Sequence, residues 1–340
     1  MAVDLHDLPP IEERSGVNPD TLFSDLAETT EPLVFRGLAS DWGLVQRARE
    51  SNDAAREYLL AMDRGLPLTA FIADPGARGR IFYNDDVTQV NFRQVKLPLS
   101  EILGRLAELE EAPEPETVYM GSAAVDQYLP GFREENDLPN PPTGMTVRIW
   151  IGNRTTVAAH YDVLDNVAWV GAGRRRFTLF PPAQLENLYI GPIDLTPGGQ
   201  QISLVDFDAP DFERFPRFAE ALKHGRTTLL EPGDAIFIPS MWWHHVQGLE
   251  RFNILVNHWW RQAHSYMGPP ADVLLHALLN LRDLPQAQRE AWRGLFDYYV
   301  FGPREEAVGH IPERGRGALG ELDDDTARRI RAMLRNNLNR

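Results

Sequence analysis

The chain has 340 residues, 43% of them hydrophobic and 24% charged, with no apolar run long enough for a membrane span; this excludes global disorder and a membrane-spanning helix. It contains no cysteine, so disulfides, thiolate nucleophiles, iron–sulfur clusters and thiolate-bound zinc are excluded, and any metal must be held by His, Asp or Glu. Its 34 basic and 49 acidic residues leave a net charge of −15, which opposes a nucleic-acid backbone; the nearest basic run, Arg174 to Arg176, reads as strand surface, and a nucleic-acid partner is not expected.

The opening residues, MAVDLHDLPPIEERSG, show no basic segment followed by an apolar stretch, so a cytoplasmic location is expected. From residue 18 to about 127 the pattern alternates between helices and short strands. Pro19 to Ala27 reads as a short helix, EPLVFRGL (31–38) as a strand ending at a glycine, and 45–64 as one helical run. TAFIAD is extended and 99–109 amphipathic, whereas the acidic, proline-bearing ELEEAPEPE (108–116) is a loop. Between Thr117 and Arg261 come short β-rich runs separated by Gly, Pro, Asn and Asp: TVYMGS, TVRIWIG, NVAWVGAG, RRFTLFPP, TTLLEPGD, AIFIPS and NILVNHWW. Short strands at regular spacing with turn signals predict an all-β sandwich or barrel. From Gly268 onward the pattern is helical: ADVLLHALLNL, 285–299, and DDDTARRIRAMLRNNL, whose leading aspartates suit the helix dipole.

The expected fold is therefore mainly β with flanking helices. A double-stranded β-helix, or jelly roll, at 117–262 follows an N-terminal α/β extension (1–116) and precedes a C-terminal helical region (263–340). Apolar faces on those last helices need a partner, either the core or a second subunit.

Chemistry concentrates in two segments. In AAHYDVLDN, His160 and Asp162 stand two apart at the mouth of a strand, where residues i and i+2 share a face and can share a metal. In EPGDAIFIPSMWWHHVQG a tight turn, an apolar strand and a Pro-x-x-Trp-Trp shoulder lead to a distant histidine, His244 or His245. Periodicity leaves open which of the two points inward. Two histidines and one carboxylate make a facial triad with three open positions, the arrangement iron needs for a chelating cosubstrate and then dioxygen; zinc or manganese also suits a mixed His and carboxylate set.

Four blocks in order, HYDVLDN, RRRFTLFPP, VDFDAPDFERFP and EPGDAIFIPSMWWHHV, resemble the JmjC-like cupin oxygenases. Within them the likeness is to the branch of the asparaginyl hydroxylase called factor-inhibiting hypoxia-inducible factor. The resemblance implies Fe(II) held by His160, Asp162 and His244, with 2-oxoglutarate and O2 as cosubstrates, and a structural or supporting role for His245. It implies that Arg175, where close relatives carry lysine, holds the far carboxylate of 2-oxoglutarate together with Tyr119. Asn166 and Asn257 match asparagines near the iron and cosubstrate. The family threonine three residues before the first ligand is Val157 here, so its hydrogen bond is lost or shifts to Thr156. A substrate-gripping glutamine falls near Gln201 and Ile202. Of the paired tryptophans, which are first of all core, Trp259 is the candidate for the substrate mouth. His258, His264 and His276 have no partner spacing.

These residues predict a hydroxylase that releases succinate and CO2 and acts on a protein side chain or a small molecule. By position, the C-terminal helices imply a homodimer. The alternatives are a non-oxidative metal cupin, which has no use for a carboxylate clamp at Arg175 and Tyr119, and a non-catalytic jelly-roll binding protein.

Overall fold

The computed structural model describes residues 5–338 and forms two compact units, one ending at Gln262 and the other beginning at Ala263. The first contains fourteen strands: β1 (Glu12–Ser15), β2 (Leu33–Arg36), β3 (Leu68–Ala73), β4 (Arg80–Ile81), β5 (Arg93–Leu97), β6 (Thr117–Ala124), β7 (Thr146–Gly152), β8 (Thr156–His160), β9 (Asp165–Ala172), β10 (Arg175–Phe180), β11 (Arg226–Leu230), β12 (Ala235–Ile238), β13 (Trp243–Gly248) and β14 (Asn253–Trp260). They form a nine-stranded sheet in the order β1-β2-β12-β9-β14-β7-β6-β3-β5 and a five-stranded sheet in the order β11-β10-β13-β8-β4. This is the expected jelly roll: mainly β, with flanking helices.

Burial follows from each strand's place. The middle strand β9 is buried from Asn166 to Ala172, without alternation, because both faces of its sheet are covered. The edge strand β5, RQVKL, has no buried residue. Between the sheets pack Ala168 and Val170 of β9, Ile236 of β12, and Phe177, Leu179 and Leu230 of the smaller sheet. On the outer face of the large sheet, Trp169 meets Trp42 edge-on and stacks on Phe132. Helices Gly43–Glu50, Asn52–Ala61 and Leu99–Leu109 add Leu44, Leu59 and Ile102 to that layer.

The single helix expected over 45–64 is two helices. Ser51 between them is extended (φ −170°, ψ 165°), and its hydroxyl accepts the Ala54 N–H at 3.0 Å. A serine that can cap the second helix competes with continuation of the first, a local choice that hydrophobic periodicity does not register.

The turn before β12 is fixed by Asp234, whose carboxylate accepts Gly37 N–H at 2.9 Å, Glu231 N–H at 3.1 Å and the Arg36 guanidinium at 2.6 Å. Gly233 in that turn has φ +98°, and a Cβ there would lie 2.7 Å from the Ser40 hydroxyl, so glycine is required twice over.

The second unit contains helices Pro270–Leu281, Gln286–Phe296, Arg304–Val308 and Asp324–Leu338. The helix expected over 285–299 ends its regular part at Phe296 and widens into a π turn over Asp297–Phe301. Asp323 caps the last helix by accepting Thr326 N–H at 2.8 Å. Among the described residues, no helix is long and apolar enough to cross a membrane.

Candidate metal centre

β8 and β13 are antiparallel neighbours, and their register sets His160 directly opposite His244, with ring centroids 4.1 Å apart. Each ring is fixed through Nδ1, His160 to the Ala158 carbonyl at 2.9 Å and His244 to the Trp242 carbonyl at 3.0 Å. A carbonyl only accepts, so Nδ1 carries the proton in both rings and Nε2 keeps its lone pair for a metal. Burial holds His244 well below the usual imidazole range, and the neighbouring His160 lowers it further. It is thus neutral, the form that binds a metal.

Asp162 does not share a strand face with His160, as its i+2 spacing suggests. β8 ends at His160, and Asp162 lies in the bend before β9. Two backbone donors from the segment preceding β13 clip this bend in place: Met241 N–H bonds the Asp162 carbonyl at 2.8 Å, and Ser240 N–H bonds the Asp165 carboxylate at 2.9 Å. Met241 does this in the left-handed region, at φ +70°. The clip brings the Asp162 carboxylate to 3.6 Å from His244 Nε2, and one ligand atom from each of His160, Asp162 and His244 lies within 4.8 Å of the others. With His244 neutral, this contact is two ligand atoms facing one centre rather than an ion pair. Burial raises the Asp162 carboxyl above the ordinary aspartate value, an effect that His160 partly opposes and a bound dication would reverse.

The three side chains line a cavity of about 270 Å3 between the sheets. Arg175, Tyr119, Asn166, Asn257 and Trp259 line the same cavity. Arg175 is 1% exposed; its Nε and Nη2 have no hydrogen-bond partner, and it interacts with the Tyr119 phenol. Burial raises the Tyr119 phenol to about 12 while the Arg175 charge opposes the shift. Asn257 donates to Asn166 Oδ1 at 2.8 Å, leaving its own Oδ1 without a partner. A buried guanidinium with two unsatisfied nitrogens fits an anionic ligand, and two imidazoles with one carboxylate fit iron.

Not every candidate reaches the cavity. Thr156 pairs with Arg80 and Gln247 and is not among the lining residues, whereas Val157 is. The cause is a bulge: from Val157 to His160 three steps on β8 match two on β13, which returns Val157 to the side of the ligand. Gln201 turns away to accept the Tyr161 hydroxyl at 2.6 Å, and its neighbours Gln200 and Ile202 line the cavity instead. His245 points to the opposite face of β13 from His244 and stacks on Phe207 at 4.6 Å. Sequence reasoning missed Ser122 and Trp150, which also line the cavity. The β-alternation of TVRIWIG would have placed Trp150 on the same face as Arg148.

Comparison with known proteins agrees with this architecture. Residues 19–266 match the family described as a cupin-like domain, and the chain belongs to that family. It is 32% identical over 146 residues to the tRNA wybutosine-synthesizing protein 5 of Gallus gallus, covering 38% of this chain and 43% of that protein. It is 24% identical over 283 residues to the lysine-specific demethylase JMJ31 of Arabidopsis thaliana, covering 72% of this chain and 48% of that protein. A third relative, lysine-specific demethylase 8 of Xenopus tropicalis, is 29% identical over 150 residues, covering 42% of this chain and 32% of that protein. The chain thus spans about half the length, or less, of these relatives.

Burial takes His245 down to about 3, with Arg80 and His160 adding to the effect. The unfolded chain therefore binds a proton that the folded protein does not between that value and about 6.5. Stability contributed by neutral His245 is complete above about 6.5 and falls by about 1.4 kcal/mol per pH unit below it. Urea unfolding in a chelator at pH 7.5 and 5.5 should show this loss, and His245→Leu should reduce it by about one proton's worth. An unchanged pH slope in His245→Leu would show that His245 is not buried in the neutral form.

Proposed function

We propose that the chain is an Fe(II)- and 2-oxoglutarate-dependent oxygenase, a hydroxylase acting on a protein side chain or a small molecule. The observation that carries this reading is one cavity holding both a two-histidine, one-carboxylate cluster and a buried arginine with unsatisfied nitrogens. A non-oxidative cupin would keep the first and have no use for the second. Relatives named as lysine-specific demethylases support the oxidative class. Placement beside the asparaginyl hydroxylases rests on the four sequence blocks alone.

In this reading His160, Asp162 and His244 hold the iron, and Arg175 with Tyr119 holds the far carboxylate of 2-oxoglutarate. When bound, the metal and cosubstrate supply the oxidising power to hydroxylate a C–H bond with O2, releasing succinate and CO2. The protein's contribution is positioning and exclusion of water. The Nδ1–H bonds of the two histidines hold their lone pairs on target, and Ile238, Val246 and Leu255 keep the cavity wall apolar. No side chain needs to act as a general base.

The relatives named for tRNA stand in tension with the expectation, drawn from the net charge of −15, that nucleic acid is not a partner. We retain a protein or small-molecule substrate and a cytoplasmic location. The C-terminal unit exposes Leu274, Leu279, Trp292, Leu295 and Phe301 on its helices and π turn, which supports homodimerisation through this region. Sedimentation of the full chain at micromolar concentration should give a dimer, and a sharp monomer boundary would overturn that proposal.

Arg175→Met tests the carboxylate clamp. Losing a bidentate charge-assisted contact should raise the KM for 2-oxoglutarate, read as succinate formation, by about 30- to 150-fold, corresponding to about 2–3 kcal/mol. Because Arg175 has no full set of partners in the free protein, the melting temperature should hold or rise. An unchanged KM would refute the assignment.

A further inference from the structure

We infer that Arg148, with the indole N–H groups of Trp150 and Trp259, forms a second anion-binding subsite that takes a carboxylate carried by the substrate. The inference rests on the oxygenase reading for the identity of its ligand as substrate, and on the following geometry for the site itself.

β7 and β14 are paired so that Trp150 faces Leu255 across the ladder, Arg148 faces Asn257 and Thr146 faces Trp259. Trp150, Leu255, Asn257 and Trp259 all line the cavity. Arg148, two residues from Trp150, projects from the same face of the sheet. Its Nη1 donates to the Ser122 carbonyl at 3.0 Å, and Ser122 itself lines the cavity from a left-handed backbone position, φ +50°. The Nε of Arg148 is buried without an acceptor. No carboxylate pairs with Arg148 among the described residues.

The two indoles share this condition. Nε1 of Trp150 and Nε1 of Trp259 are buried without acceptors, and the rings meet edge-on with centroids 5.9 Å apart. Three unsatisfied donors, one of them cationic, therefore occupy one patch of the large sheet, where the unsatisfied acceptor is Asn257 Oδ1. Buried donors left unpaired are costly, so a ligand rich in acceptor oxygens is favoured there. The positive charge, with no counter-carboxylate, selects an anion over a neutral carbonyl.

This subsite has its own charged group but adjoins the one at Arg175, since Tyr119 stacks on Trp150 with ring centroids 5.9 Å apart. Arg175 belongs to β10 of the facing sheet and interacts with Tyr119. Tyr119 pairs with Gly152 and Ala124 with Arg148, so the backbone positions of Tyr119 and Arg148 lie four residues apart along β7, about 13 Å. Arg175 lines the cavity, and Arg148, which is not among the lining residues, adjoins it through Ser122, Trp150, Asn257 and Trp259, which are; two cationic ends, Arg175 for the cosubstrate and Arg148 for the substrate, then serve the space that His160, Asp162 and His244 line. A substrate held at Arg148 is tethered by its carboxylate while the bond to be oxidised faces the metal.

The test uses the full chain without added metal and two matched pairs of probes, N-acetylglutamate against N-acetylglutamine and N-acetylaspartate against N-acetylasparagine. Affinities are read by saturation-transfer NMR and tryptophan fluorescence. Wild type should bind the acid of a pair at least 10-fold tighter than its amide. Arg148→Gln should abolish that preference while keeping the wild-type melting temperature, and Arg148→Lys should retain part of it. Arg175→Gln should leave the preference intact while losing 2-oxoglutarate binding, which separates failure of this subsite from failure of the oxygenase reading. Equal affinity for acid and amide, binding of neither, or a preference that survives Arg148→Gln and vanishes in Arg175→Gln would overturn the proposal.

Discussion

The site depends on the pairing of β8 with β13. Register alone places His160 opposite His244, and the bulge in β8 then decides what else faces the cavity. Each imidazole is locked by a bond from Nδ1 to the carbonyl two residues earlier in the chain, Ala158 within β8 and Trp242 just before β13, so tautomer and orientation are set by the backbone. The third candidate ligand is attached differently. Asp162 lies beyond the strand end and is held because Ser240 and Met241, just before β13, donate backbone N–H groups into its bend. All three side chains are thus tied to a single hairpin-like contact, and a shift of β13 relative to β8 would disperse them together.

The rest of the jelly roll supports that contact from both sides. Phe177 and Leu179 pack β10 against the large sheet while β10 pairs with β13. Asp234 closes the turn that feeds β12 and hence the segment leading to β13. Opposite, Asn166 and Asn257 bond each other across two strands of the large sheet, a polar pair in an otherwise apolar wall that is tolerated because it borders the cavity. Arg175 lies on the same sheet as the two histidines, so the candidate metal centre and its cationic neighbour share one rigid support.

Much of this was legible in the sequence, because strand runs and turn residues are local signals. The seven β-rich runs and the C-terminal helices are where composition and periodicity place them, and the two segments carrying His160, Asp162 and His244 are chemically conspicuous. What the sequence hides is non-local. Alternation cannot choose between His244 and His245; pairing with β8 turns the first to the cavity, and Phe207 takes the second. A bulge of one residue moves Val157 into the cavity lining and leaves Thr156 out of it, and nothing in TTVAAH announces it. The same limit applies to Gln200 and Gln201, whose facing depends on the Tyr161 hydroxyl. Arg148 is the converse case: its alternation with Trp150 is readable, but its lack of an acceptor appears only once the strands are assembled.

The central claim is that His160, Asp162 and His244 form an open metal site that accepts 2-oxoglutarate. Anaerobic addition of Fe(II) and 2-oxoglutarate, followed by visible absorption, tests it most directly. The account predicts the weak charge-transfer band of the iron–2-oxoglutarate chelate in wild type and in His245→Leu, and its loss in His160→Ala. Metal binding without the band in wild type, or a band that survives in His160→Ala, would contradict it.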